Sequence, residues 1–327
     1  MAEKLLIQAI HDGLDEALAE DERVVIFGED VGTRGGVFRV TDGLKDKYGP
    51  MRVIDAPLAE SLIIGAGVGM AANGLIPIAE MQFQDFSTPA MDQIMSEVAR
   101  LRYRSNGDWG CPMVIRMPYG GGIHGALYHS QSIEAIYTHV PGLKVVAPID
   151  PYDAKGCCEK QSSTPIPSSI SSTRRRIGRS AEVPDEPYTV PIGKAKIVRE
   201  GSDLTIISYG AYLYEALQAA DDFVDEQGGS IEVIDLRTLK PLDNETILES
   251  VMKTGKALIV HEANRFGGIG GEIAAIIAEE AFAYLDGPVV RLTSADVPAM
   301  PYSPPLEKAF LLDKDDIRAA IDRLTAF

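Results

Sequence analysis

Short, nearly continuous apolar runs alternate with helical patterns along this chain, and that alternation constrains its fold more than any other feature. VVIFG at 24–28, PIAEMQF at 77–83, MVIRMP at 113–118 and KVVAP at 144–148 have strand length and carry little charge. Helical patterns lie near 58–73 and 87–104. Strands of this kind are buried on both faces, which calls for parallel sheets with helices covering each side. The pattern restarts after a polar, proline-containing stretch at about 181–201. LTIISYG at 204–210, a helix near 212–226, SIEVIDL, ALIVHE at 257–262, a helix at 271–285 and PVVRLTS follow in turn. The expectation is an α/β protein of two doubly wound domains, 1–182 and 201–327, joined by a linker at 183–200.

A length of 327 residues suits two domains with separate cores, and 45% hydrophobic residues is ordinary for a globular protein. A formal charge of −17 argues against nucleic acid as a partner, because a phosphate backbone is held by surplus Lys and Arg. Cys111, Cys157 and Cys158 offer neither a CxxC zinc spacing nor an even disulfide framework, which suits a reducing compartment. The N-terminal MAEKLLIQAIHDGLDEALAE is amphipathic and helical, unlike a signal peptide, so a cytoplasmic location is expected. The uncharged run 62–79 contains Asn73, Gly74 and Pro77, which interrupt it as a membrane span; no membrane association is expected.

The segment 157–180, CCEKQSSTPIPSSISSTRRRIGRS, fits neither pattern. Its composition is that of a serine-rich surface loop, yet it stands where the first domain needs another strand. Reading each codon one base earlier leaves little freedom, and permitted codons turn 157–173 into LLRKAIVDPDPVIYLEH: a helix end, a turn and a buried strand. The expectation is a frameshift in this segment. Sequencing the gene and finding no flanking insertions or deletions contradicts an artefact.

The chemistry concentrates in YGGGIHGALYHSQSIEA at 119–135 and in Glu60 of DAPLAESLIIGAG. A glycine-rich loop with His124, His129, Ser130 and Gln131, together with one acid among apolar residues, is equipment for proton transfer. Each part has a plainer reading: loop histidines are commonly structural, and an acid at a helix start complements the dipole. LIIGAGVGMAANG imitates a dinucleotide fingerprint, but Met70 holds its third position, and small residues for close helix packing explain it better. No G-x-S-x-G elbow supports a serine hydrolase, and the histidines lack carboxylates at metal-ligand spacing. Phe83 and Phe86 in EMQFQDF form an aromatic face able to stack on a heterocycle or simply to fill a core.

Taken together, GEDVG at 28–32, GGVFRVTDGL at 35–44, the acid Glu60, EMQFQDF, LRYRSNG, HGALYHSQS, PGLKVVAP, EVIDLRTLKPLD and HEANRFGGIGGEIAA resemble the beta subunit of the thiamine-diphosphate-dependent decarboxylase component of 2-oxo acid dehydrogenase complexes. The resemblance covers essentially the whole chain and fails only across 157 to about 178, where the shifted reading restores it.

The resemblance implies a transketolase-like fold with a pyrimidine-binding domain followed by a C-terminal assembly domain. It assigns Glu60 to N1′ of the cofactor's aminopyrimidine, where a carboxyl favours the imino tautomer that deprotonates the thiazolium. It sets Phe86 beside the pyrimidine, counts Leu58 among the cofactor-binding residues and makes Glu29 part of a proton relay. His129 matches the histidine that assists acyl transfer to the lipoyl group, with His124 a second candidate in that pocket. The GDG motif that holds Mg²⁺ and diphosphate in thiamine enzymes is missing from this sequence. The family's alpha subunit supplies it in an α2β2 heterotetramer, so no metal ligand is expected here. The implied reaction is oxidative decarboxylation of a 2-oxo acid, pyruvate or 3-methyl-2-oxobutanoate, with acyl transfer to the lipoyl group of a dihydrolipoyl acyltransferase. Alternatives are an acetoin dehydrogenase beta subunit, a single-chain thiamine enzyme such as a transketolase, and a catalytically dead assembly subunit.

Overall fold

The computed structural model describes residues 2–162, 168–173 and 180–327. Of the shifted-frame expectation for 157–178, the backbone at 157–162 and 168–173 is described, and the rest lies outside the described residues. The chain divides into two compact units. Unit 1 comprises Met1–Tyr119 and Ile136–Ile192, and unit 2 comprises Gly120–Ala135 and Gly193–Phe327.

Unit 1 contains β1 (Ala2–Leu5), β2 (Val24–Glu29), β3 (Val53–Ala56), β4 (Ile76–Glu80), β5 (Val114–Tyr119), β6 (Lys144–Val146), β7 (Ser168–Thr173) and β8 (Ser180–Val183). Six of these strands run in the spatial order β6-β7-β5-β4-β2-β3, and every pair is parallel. β2, β4 and β5 are buried along almost their whole length, as the apolar runs predict. The N-terminal helix Leu6–Glu20 buries Leu6, Ile10, Leu14 and Leu18 on one stripe. β1 and β8 pair antiparallel apart from the main sheet.

The helix Glu60–Ala72 explains the imitation fingerprint. Its buried face is Ile63, Ile64, Gly67 and Ala71, and a Cβ on Gly67 would lie 2.6 Å from Met113 Cε. The glycines are therefore inside a helix that packs closely, as the small-residue reading expects, and not at a strand-to-helix turn. The expected helix at 87–104 is corrected by the structure: a 3₁₀ segment Gln84–Ala90, a π-helical turn Gln93–Val98 and a short α-helix Leu101–Arg104 take its place. Pro89 lies inside the first piece, where it offers no backbone donor.

Unit 2 contains β9 (Lys196–Arg199), β10 (Leu204–Ser208), β11 (Ile231–Asp235), β12 (Thr238–Lys240), β13 (Ala257–Asn264) and β14 (Val290–Ser294). Its sheet has the order β14-β13-β10-β11-β9, with only β9 antiparallel. Helices Tyr212–Gln227, Asn244–Thr254, Ile269–Glu280 and Lys314–Thr325 belong to the same unit. Among the described residues no helix is long and apolar enough to cross a membrane.

Candidate active site

Four of the expected site residues meet at one edge of the unit 1 sheet. Parallel strands present their carboxyl ends together, and ligands bind there in open α/β sheets. Glu29 is the last residue of β2 and pairs in register with Ala56, the last of β3. Leu58 follows β3 and is 74% exposed. Glu60 then opens the helix Glu60–Ala72, where the helix dipole favours an anion. Beyond β4, Phe83 and Phe86 contact edge to face, 5.3 Å between centroids at 83°. Ser61 Oγ donates to Pro89 O at 2.5 Å, which ties the start of the Glu60 helix to the segment that carries Phe86. Glu29's carboxyl is held above its ordinary value by burial, then by the neighbouring charges of Asp30 and Glu60. The structure thus brings the two acids close enough to repel. Asp55 braces the loop after β2 by accepting from the Gly32 amide at 2.6 Å while Lys45 Nζ pairs with it at 2.7 Å.

His124 and His129 lie in Gly120–Ala135, which clusters with unit 2 although its sequence position is within the first half of the chain. Gly120 and Gly122 have φ of +92° and +86°, and His124 and Ala126 follow at +56° and +57°. A left-handed backbone costs a non-glycine residue roughly 1–2 kcal/mol, so a conformation held twice in three residues needs outside support. Two buried carboxylates from further along unit 2 meet the loop, and the segment carries a third of its own, Glu134. Glu262, 8% exposed, accepts from the Gly121 amide at 2.7 Å and from Ser132 Oγ at 2.9 Å. Glu307, 2% exposed, accepts from the amides of Gly122 at 3.0 Å and His124 at 3.2 Å, and its other oxygen pairs with His124 Nδ1. Glu134 is fully buried and accepts from Tyr209 Oη at 2.5 Å. Burial pushes the Glu134 carboxyl up to about 7, partly countered by the Tyr209 bond.

His129 ends the short 3₁₀ turn Ala126–Tyr128. Gly125 runs directly beneath it: a Cβ there would lie 2.7 Å from both His129 Cβ and Ser130 Oγ. His261 is buried behind Tyr209, with ring centroids 6.0 Å apart and nearly parallel, and burial lowers its imidazole to about 4. It is neutral at physiological pH.

Residues 4–179 match the transketolase pyrimidine binding domain and residues 193–317 the transketolase C-terminal domain. The chain is 50% identical over 322 residues to the 2-oxoisovalerate dehydrogenase subunit beta of Bacillus subtilis, an alignment that covers 98% of both chains. It belongs to the beta subunits of 2-oxo acid dehydrogenases. A second relative in this family, the pyruvate dehydrogenase E1 component subunit beta of Acholeplasma laidlawii, is 46% identical over 91% of each chain. A solved structure described as a split gene transketolase, inactive beta4 tetramer, superposes with a TM-score of 0.80 at 24% identity over 98% of both chains; it shares the fold. As a beta subunit, the chain carries the transketolase-like two-domain α/β architecture that the sequence implies.

Sequence reasoning missed Glu134, Glu262 and Glu307. Glu134 and Glu262 stand in quoted motifs, SQSIEA and HEAN, and an acid beside apolar neighbours was their available signal. Glu307 in SPPLEKAF carries no signal beyond an acid three residues after Pro304, and its role emerges only from contacts 183 and 185 residues away in sequence.

Proposed function

We propose that this chain is the beta subunit of a 2-oxo acid dehydrogenase acting on a branched-chain 2-oxo acid such as 2-oxoisovalerate, with thiamine diphosphate as cofactor. The observation that carries this reading is the convergence of Glu29, Leu58, Glu60 and Phe86 on the carboxyl edge of β2, β3 and β4 in a pyrimidine-binding domain. The substrate is the one named for the Bacillus subtilis relative. Pyruvate is the second reading, favoured by the name of the Acholeplasma laidlawii relative.

The donor set suits an aminopyrimidine. A carboxyl at Glu60 supplies a hydrogen-bond partner for a ring nitrogen, and Phe86 and exposed Leu58 supply apolar surface for the ring. The bound cofactor supplies a nucleophilic carbon and an electron sink for decarboxylation. Glu60 would hold the proton at the pyrimidine N1′, and Glu29, whose carboxyl is raised above its ordinary value by burial and then by its acidic neighbours, would pass a proton toward it. His129 protonates one sulfur of the lipoyl disulfide as the acyl group bonds to the other. The S–S bonding pair would go to the sulfur that takes the proton, the pair that forms the new C–S bond would come from the acyl carbon, which is oxidised, and that carbon's bond to the cofactor would break to release the thioester.

Among the described residues no group of three or more His, Cys, Asp or Glu is placed to hold a metal ion. The reading assigns the Mg²⁺-diphosphate end to an alpha subunit in an α2β2 assembly, and the lipoyl group to a dihydrolipoyl acyltransferase. Residues 1–182 form the pyrimidine-binding part in this reading, 183–200 the connection and 201–327 the assembly part.

The test is co-expression with an alpha subunit and thiamine-diphosphate-dependent reduction of an artificial electron acceptor by 2-oxoisovalerate, pyruvate and acetoin. Glu60→Gln is expected to lower the rate by about 10²–10⁴-fold. A rate unaffected by that substitution, or turnover of acetoin alone, contradicts the reading.

A further inference from the structure

His129 lies outside the long helices and strands. It follows a three-residue 3₁₀ turn, in a loop whose backbone adopts left-handed conformations at Gly120, Gly122, His124 and Ala126. Such a loop is steadied by acceptors that meet its amides, and the buried acceptor that meets them just ahead of the histidine turn is Glu307. One carboxylate oxygen of Glu307 accepts from two amides, Gly122 and His124, and the other pairs with the His124 ring. Gly125, the next residue, is the floor against which His129 packs.

We propose that Glu307 is the positioning residue for His129: by gathering the amides of Gly122 and His124 and the His124 imidazole, it sets the turn across which His129 is aimed. The inference rests on the reading of His129 as the group that serves acyl transfer to the lipoyl sulfur. Glu307 sits at the start of the helix Pro304–Phe310, is 2% exposed and spends both oxygens on the loop. A carboxylate with that contact set has no surface left for a substrate, so it acts through the loop. His124, the second candidate for the acyl-transfer pocket, becomes part of the clamp: at a left-handed φ of +56° both its amide and its ring meet the same carboxylate. Glu262 holds the base of the same loop through Gly121 and Ser132, so the loss of Glu307 removes the contacts at Gly122 and His124 while those at the base remain.

The experiment uses the complex assembled with an alpha subunit and two assays on each variant. One is reduction of an artificial acceptor by the 2-oxo acid, which does not need His129; the other is reductive acylation of an isolated lipoyl domain, which does. Glu307→Gln keeps an oxygen for the two amides and removes the charge, and Glu307→Ala removes both. Reductive acylation is expected to fall in the order wild type, Gln, Ala. The Ala variant is expected to lose at least about tenfold in kcat with little change in KM for the lipoyl domain, while the artificial-acceptor rate stays within about twofold. Should the Ala variant be insoluble, Glu307→Gln decides alone, with at least a threefold selective loss expected. Parallel loss in both assays, or no loss in either, overturns the positioning role. His129→Ala separates the two levels of inference. Full reductive acylation in that variant overturns the reading of His129 and the proposal with it, whereas loss there with none in the Glu307 variants overturns the positioning role alone.

Discussion

Gly125 shows how little room a single side chain has at this site. Its backbone lies in the ordinary right-handed region, so alanine meets no conformational penalty there. The added methyl instead arrives 2.7 Å from His129 Cβ and Ser130 Oγ, and one of them must move. Since misplacing a catalytic group by about 1 Å can cost about 10²-fold, Gly125→Ala is expected to lower lipoyl reductive acylation by tenfold or more with little effect on the artificial-acceptor rate. Glu134 offers a test by titration. Its folded carboxyl titrates at about 7 against an ordinary 4.5, so the folded chain retains a proton that the unfolded chain releases. Stability is therefore lost as pH rises from 4.5 through 7, by on the order of 3 kcal/mol in full. His261 has the opposite sign, since its value of about 4 against 6.5 means stability is lost as pH falls through that window. Comparing Glu134→Gln with the parent removes the His261 contribution. The variant's unfolding free energy in urea should gain on the parent's by about 2 kcal/mol between pH 5 and 7.5, and a constant difference across that range contradicts the assignment.

At the scale of elements, the strands that carry the site were legible because each is a short apolar run whose burial on two faces leaves no other use for it. β2 and β4 appear within a few residues of VVIFG and PIAEMQF, and the motifs at their carboxyl ends fall beside one another once the strands are adjacent. The region 84–104 was not legible in the same way. Its apolar spacing is helical, but with Pro89 inside it and the segment tied to the Glu60 helix it forms three turns of different pitch. EVIDLRTLKPLD was legible as a signature and not as a structure: Arg237 in it has a left-handed φ of +51° and donates to the carbonyls of Lys194 and Ala195. The strand β7 poses the sharpest conflict. Its backbone pairs with β5 on one side and β6 on the other, an interior position where parallel strands are almost uniformly apolar, yet the chain has Ser-Ser-Ile-Ser-Ser-Thr at 168–173. The shifted reading puts VIYLEH at the same six positions. An aliphatic side chain buried in an interior strand contributes roughly 1.5–3 kcal/mol over an exposed one, which serine does not supply. The chain carrying the shifted reading of 157–173 is expected to give a higher soluble yield and a Tm raised by 10 °C or more than the chain as it stands. Equal yield and Tm contradict the frameshift.

The molecule as a whole is a beta subunit whose chemistry is proposed to need a second chain. Purified alone it is expected to show no 2-oxo acid-dependent acceptor reduction, and addition of a purified alpha subunit with thiamine diphosphate and Mg²⁺ is expected to restore turnover; activity from the lone chain contradicts the assignment of the diphosphate end to the partner. Sequence located the acids and rings of the unit 1 edge because they stand in contiguous motifs. It did not reveal that the histidine loop belongs with unit 2, because the carboxylates that hold it lie 130 to 185 residues further along. That separation has a consequence for how the protein is made. A ribosome adding about 5–20 residues per second places Gly122 in the chain roughly 10–40 s before Glu307 follows it. The histidine loop is therefore in the chain well before the carboxylates of Glu262 and Glu307, whose contacts with it can form only after they too have been made.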